Sequence, residues 1–144
     1  MGFDSNKFMT ANLVYSEAAV VVSDLKPFFD DDSDPVWKVR NLTGPELARV
    51  NEEVKVNRDL GALIEQLTSE DAKEKIDAIK DSLGISDRTP DDVVRRIKML
   101  EYGSVDPEVD QEFCVRLSDK YPTIFFALTN KIIELTGQGS RLGE

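Results

Sequence analysis

The chain has 144 residues, 32% charged and 40% hydrophobic, with 28 acidic against 18 basic side chains and a net charge of −10. That length suits one ordinary domain whose core needs no metal or disulfide to hold it, and the balance of charge and apolarity excludes a wholly disordered or membrane-embedded chain. The acidity works against phosphate backbones, the lack of histidine removes the commonest general base and transition-metal ligand, and the single cysteine, Cys114, permits no intrachain disulfide and suits a reducing compartment.

The N-terminal stretch MGFDSNKFMT lacks the charged and apolar regions of a signal peptide, and residues 1–17 read as a flexible lead-in. Residues 18–22, Ala-Ala-Val-Val-Val, form an apolar run that none in the sequence exceeds in length. It is far below the roughly 18–20 residues of a membrane span, and its β-branched character predicts a strand. Phe28, Phe29 and an acidic run at 30–34 follow, and then Val36-Trp-Lys-Val-Arg40 alternates as a second strand. The two strands are expected to pair as an antiparallel hairpin with a long connection, and the hairpin must pack on something to be stable. Trp37 should turn inward against the first long helix.

Helices are expected from there on. Thr43-Gly-Pro-Glu46 has the spacing of a capping box with proline in the first turn, and the helix it opens runs to Leu67. Its apolar residues change face, with Leu47, Val50 and Val54 on one side and Val56, Leu60, Leu63 and Leu67 on nearly the other, so the helix either meets different partners or bends near residues 57–61. Thr68-Ser-Glu-Asp71 starts a helix with the stripe Ala72, Ile76, Ile79 and Leu83, stopped by Gly84. Thr89-Pro-Asp-Asp92 starts another, with Val93, Val94, Ile97 and Leu100 inward and Gly103 near its end. On it, Asp91 and Asp92 fall four residues before Arg95 and Arg96, the spacing of intrahelical ion pairs. Asp106-Pro107-Glu108 opens a helix with the stripe Val109, Phe113 and Leu117, interrupted at Tyr121-Pro122. The last helix carries Tyr121, Ile124, Phe125, Leu128, Ile132 and Leu135 on one broad face and ends at Gly137 and Gly139. The expected fold is mainly α, about five packed helices with a small N-terminal β element. It forms a single domain over residues 18–139, with a loose tail at 140–144.

Little here points to chemistry. Asp30, Asp32 and Asp34 occupy the first, third and fifth places of a calcium loop, but Pro35 stands where the turn needs glycine and Asn41 where a bidentate glutamate belongs. The other carboxylates sit at helix starts and on polar faces, where capping and the helix dipole account for them. Cys114 has no histidine to activate it and lies on a core stripe, so it reads as a packed thiol. Phosphate loops, dinucleotide fingerprints and serine elbows are missing from the sequence, and neither catalysis nor a cofactor is expected. What remains is apolar surface. Phe126 and Ile133 are seven residues apart, opposite the main stripe of the last helix, and Met99 and Tyr102 fall off the stripe of theirs. These four residues are the candidate partner-binding positions; the alternative is that neighbouring helices cover them.

The order of features resembles the tail assembly chaperones of long-tailed bacteriophages. A β-rich start leads into Trp37, Arg40, Leu42, Thr43 and Glu46, which match the W-x-V-R-x-L-T-x-x-E look of that family, and Leu135, Thr136, Gly137 and Gly139 match its L-T-G-x-G ending. The resemblance covers residues 18–139. It implies a protein that binds the tape measure protein, keeps it soluble in the host cytoplasm, helps recruit tail tube protein and is absent from the mature virion. It also implies that this chain is the short form beside a longer, frameshifted one, and a homo-oligomer is compatible with it. Nucleic acid and membrane are not expected as partners. Two other readings stand beside it: a structural tail or head–tail connector subunit retained in the virion, and an acidic regulator of a host protein.

Overall fold

The computed structural model describes residues 2–66 and 90–143, with backbone alone for 60–66. Its elements in chain order are α1 (Ser5–Thr10), β1 (Leu13–Val14), β2 (Glu17–Val21), a 3-10 helix (Ser23–Phe28), β3 (Val36–Arg40), α2 (Gly44–Gln66), α3 (Asp91–Gly103), β4 (Ser104–Asp106), α4 (Gln111–Lys120), α5 (Pro122–Gln138) and β5 (Arg141–Leu142). The chain is mainly α with a small β element, as its periodicity predicts. The helix expected over residues 68–84, and the cap expected at Thr89, lie outside the described residues.

The hairpin forms in the expected place. β2 and β3 pair antiparallel, Ala18 opposite Val39 and Val20 opposite Trp37. The alternation puts Trp37 and Val39 in the core and Lys38 in solvent. A third strand, β4, adds to the other edge of β3, giving the order β2-β3-β4. The indole N–H of Trp37 donates to Ser104 Oγ of β4 at 2.8 Å, and its ring lies 5.9 Å from that of Phe113 on α4. The ring therefore turns inward as expected, with its hydrogen bond and ring contact coming from β4 and α4.

α2 opens with the predicted capping box. Thr43 N–H donates to Glu46 Oε1 at 2.9 Å, and Glu46 N–H donates to Thr43 Oγ1 at 3.3 Å. Val50 and Val54 are buried against α3, whereas Leu47 and Val56 are exposed. α3 begins at Asp91, and of the predicted ion pairs Asp92 meets Arg96 at 2.9 Å. Asp91 instead meets Arg58 of α2 at 2.5 Å, because α2 packs alongside and brings a cation to that carboxylate.

α4 corrects the sequence reading. It starts at Gln111, not at residues 106–108, because Asp110 supplies the N-cap by accepting from Phe113 N–H at 2.9 Å. Asp106 belongs to β4. The buried stripe is Cys114 and Leu117, while Phe113 is half exposed.

α5 lies across β2 and β3 and packs on α3 and α4. Its predicted face holds. Phe125, Leu128 and Ile132 are fully buried, Leu135 is buried and Tyr121 and Ile124 are partly covered. Gly139, at φ +74°, ends the helix by donating to the carbonyls of Leu135 and Thr136. The two ends of the chain, expected to be loose, meet: β1 pairs with β5, Leu13 opposite Leu142, and Gly143 N–H donates to Asn12 O at 2.7 Å.

Candidate functional site

The residues behind the family resemblance come together as architecture. Leu42 N–H donates to Thr136 Oγ1 at 3.0 Å, and that hydroxyl donates to Ile132 O at 2.7 Å. Ser16 Oγ donates to Gly139 O at 2.7 Å, while Ser16 N–H donates to Asn41 Oδ1 at 2.8 Å. The segment after β3 is thus bound to the end of α5. Arg40 makes a forked pair with Glu46, Nη1 to Oε1 at 3.0 Å and Nη2 to Oε2 at 2.8 Å, and its guanidinium stacks 4.2 Å from the Tyr15 ring centroid. The hydrogen bond from Arg40, reinforced by Thr43 N–H, holds the Glu46 carboxyl below the usual range even though burial opposes it. These residues join hairpin, α2 and α5.

The candidate binding positions divide. Phe126 is 37% exposed and Ile133 43% exposed. They lie on the side of α5 away from its buried stripe, within about 20° of each other around the helix. Met99 is only 4% exposed and belongs to the core cluster. At Met99 the alternative reading holds, cover by neighbouring helices rather than partner binding, because α3 is packed by α2 on one side and by α4 and α5 on the others, so more than one of its faces is inward. Tyr102 is half covered, with the Lys98 ammonium 5.6 Å from its ring centroid.

Arg96 completes the face around Phe126. From α3 its Nη1 reaches Thr129 Oγ1 at 2.8 Å and Asn130 Oδ1 at 2.7 Å, and its guanidinium sits 4.8 Å from the Phe126 ring centroid. Phe126 also meets Phe125 edge-on at 5.5 Å. The Phe126 ring is therefore held by a cation and by a core ring, with 37% of the residue left exposed. The i,i+4 pairing of Asp92 and Arg96 was visible in the sequence. The reach of Arg96 across to α5 was not, because it depends on how the two helices cross.

A second apolar surface went unread. α1 has no buried residue, and Phe3, Phe8 and Met9 are all exposed, with the two rings 5.5 Å apart. The acidic run closes on a cation of its own chain: Lys26 Nζ donates to the carbonyls of Asp31, at 3.5 Å, and Ser33. Cys114 is fully buried and its thiol is pushed up to about 12, chiefly by burial, which keeps it protonated and unreactive near neutrality. An open, polar groove lies along the β1–β5 ribbon beside Tyr15, Glu17 and Arg141.

Comparisons with family models, curated proteins and solved structures give no match for this chain.

Proposed function

We propose that the protein is a tail assembly chaperone of a long-tailed bacteriophage, acting by binding rather than catalysis. It would hold the helical tape measure protein soluble in the host cytoplasm, help bring tail tube protein to it, and leave before the virion is complete. The observation that carries this reading is the second apolar face of α5. A helix that already buries Phe125, Leu128 and Ile132 completely also keeps Phe126 and Ile133 in solvent. Leaving two large apolar side chains in water on one helix face, one of them braced by Arg96, suits a groove or ridge for an amphipathic partner helix. A tape measure exposes long apolar helices before the tube encloses it. A small partner of net charge −10 would cover those helices and keep the complex soluble by mutual repulsion. The family resemblance of residues 37–46 and 135–139 supplies the identity of the partner.

The test has two arms. Co-expression with the tape measure protein of the same phage should yield a soluble complex where the tape measure alone aggregates. Mass spectrometry of purified virions should then detect the tube and tape measure proteins but not this chain. A stoichiometric amount of the chain in the virion would favour the structural-subunit reading instead.

A further inference from the structure

We propose that the free edge of β2 pairs antiparallel with the β2 of a second copy, joining two three-stranded sheets into one. β2 is an outer strand of the β2-β3-β4 sheet. Two bonds fix which way its backbone groups point: Asn41 N–H donates to Ser16 O at 3.0 Å, and Val22 N–H donates to Pro35 O at 2.7 Å. Residues 16 and 22 therefore face β3, and by the alternation of an antiparallel ladder so do 18 and 20. The N–H and C=O groups of Glu17, Ala19 and Val21 are turned outward, and no other described strand pairs with them.

Exposed edges are commonly guarded by lysine, proline or a bulge. β2 reads Glu-Ala-Ala-Val-Val, and the register irregularity of this sheet lies between β3 and β4 instead. Apart from Glu17 at its start, the side chains of this strand are small or apolar, and Val21 is 69% exposed. Ala18 and Val20, on the inner face, are only partly buried, whereas Trp37 and Val39 beside them on β3 are fully covered. The sheet thus stops one strand short of the cover its inner face could use.

The occupant that fits is a second copy. A two-fold axis through Ala19 sets Ala19 opposite Ala19 and Glu17 opposite Val21. In that register every outward N–H meets an outward C=O, each pair exchanging two hydrogen bonds. Charge is complementary as well. Lys38 stands beside Ala19 on the solvent face, and the short alanine leaves a lane toward the second copy's Glu17. Neither Glu17 nor Lys38 has an ion-pair partner among the described residues. This interface is separate from the Phe126 and Ile133 face, so it stands or falls independently of the proposed chaperone role.

Sedimentation equilibrium of the whole chain, in salt high enough to screen the repulsion between two copies of charge −10, should show a monomer–dimer equilibrium. Ala19→Pro removes an outward N–H from each copy and should raise the dissociation constant about tenfold or more. Ala19→Lys, which sets two like charges face to face, should weaken the dimer in the same direction. Because the Ala19 N–H takes no part in the β3 ladder, circular dichroism of the proline variant should stay that of the native chain, and that of the lysine variant, whose new side chain stands opposite Lys38, is checked alongside. If the proline variant misfolds, the lysine variant and an Ala19→Cys variant decide the matter. Mild oxidation of Ala19→Cys should give a disulfide-linked dimer, with Cys114 silent because it is buried. Phe126→Ala should leave the dimer unchanged. A wild-type chain that stays monomeric at every concentration, or a dimer indifferent to both Ala19→Pro and Ala19→Lys, would overturn the proposal.

Discussion

Single residues in this chain act mostly as joints. Trp37 turns a large ring into the core, and its one polar atom is satisfied by Ser104. Replacing Ser104 with alanine would leave that N–H buried and unpaired, at a cost of about 1–3 kcal/mol. Chemical denaturation followed by tryptophan fluorescence should show that loss, with native emission still that of a buried indole. Glu46 is a joint of another kind, since its carboxylate accepts from both Arg40 and Thr43. Its pKa is lowered in the native state, first by the Arg40 hydrogen bond, so the unfolded chain binds a proton that the folded chain releases. The stability it contributes is full above the ordinary glutamate range and is lost as pH falls toward the lowered native value. Glu46→Gln should therefore destabilise the protein at neutral pH by about 1–3 kcal/mol. The gap between variant and wild type should close in acid, as read from denaturation midpoints across that range.

At the scale of elements, close packing of helices leaves little slack where α3 ends. A β-carbon added at Gly103 would stand 2.7 Å from Ile132 Cδ1 and 3.0 Å from its Cγ1, closer than packed carbons approach. Gly103→Ala should cost about 1–3 kcal/mol through overpacking, although alanine favours a helix over glycine. Ile132→Val removes the offending methyl and should recover part of the loss in the double variant, so that the two changes are less than additive in thermal unfolding. The elements that sequence made legible are the ones with a long period or a local chemical marker. The broad stripe of α5, the capping box of α2 and the alternating β3 were all readable. β4 was not, because three residues directly after a helix show no alternation, and Ser104–Asp106 becomes a strand only because β3 lies beside it. The start of α4 was misplaced for a related reason. Asp-Pro at 106–107 has the look of a helix opening, but pairing with β3 holds Asp106 extended and leaves Asp110 to provide the cap. Phe126 and Ile133 were legible as an off-stripe pair because α5 is long enough to show two faces. Met99 was legible only as an open choice between core and partner face, since nothing in α3 alone reveals how many neighbours surround it.

For the whole molecule, the described parts make a helical body whose hairpin, α2 and α5 are tied by side chains at residues 16, 40–46 and 136–139. Exposed apolar residues among those described include Phe126 and Ile133 on α5, Val21 at the β2 edge, and Phe3, Phe8 and Met9 near the N-terminus. The proposed role in covering a partner's apolar helices would draw on the first of these faces. The most direct measurement of the central claim is binding of the tape measure protein by wild type and by Phe126→Ala, with the melting temperature of each taken alongside. Loss of a large aromatic anchor from an interface commonly costs about 2 kcal/mol or more, whereas removing a phenylalanine from a core costs about 3–5 kcal/mol of stability. The account predicts that Phe126→Ala weakens binding by more than about tenfold while the melting temperature hardly moves, and that Ile133→Ala does the same to a smaller degree. Unchanged binding, or a large fall in melting temperature with it, would contradict the assignment of this face to a partner.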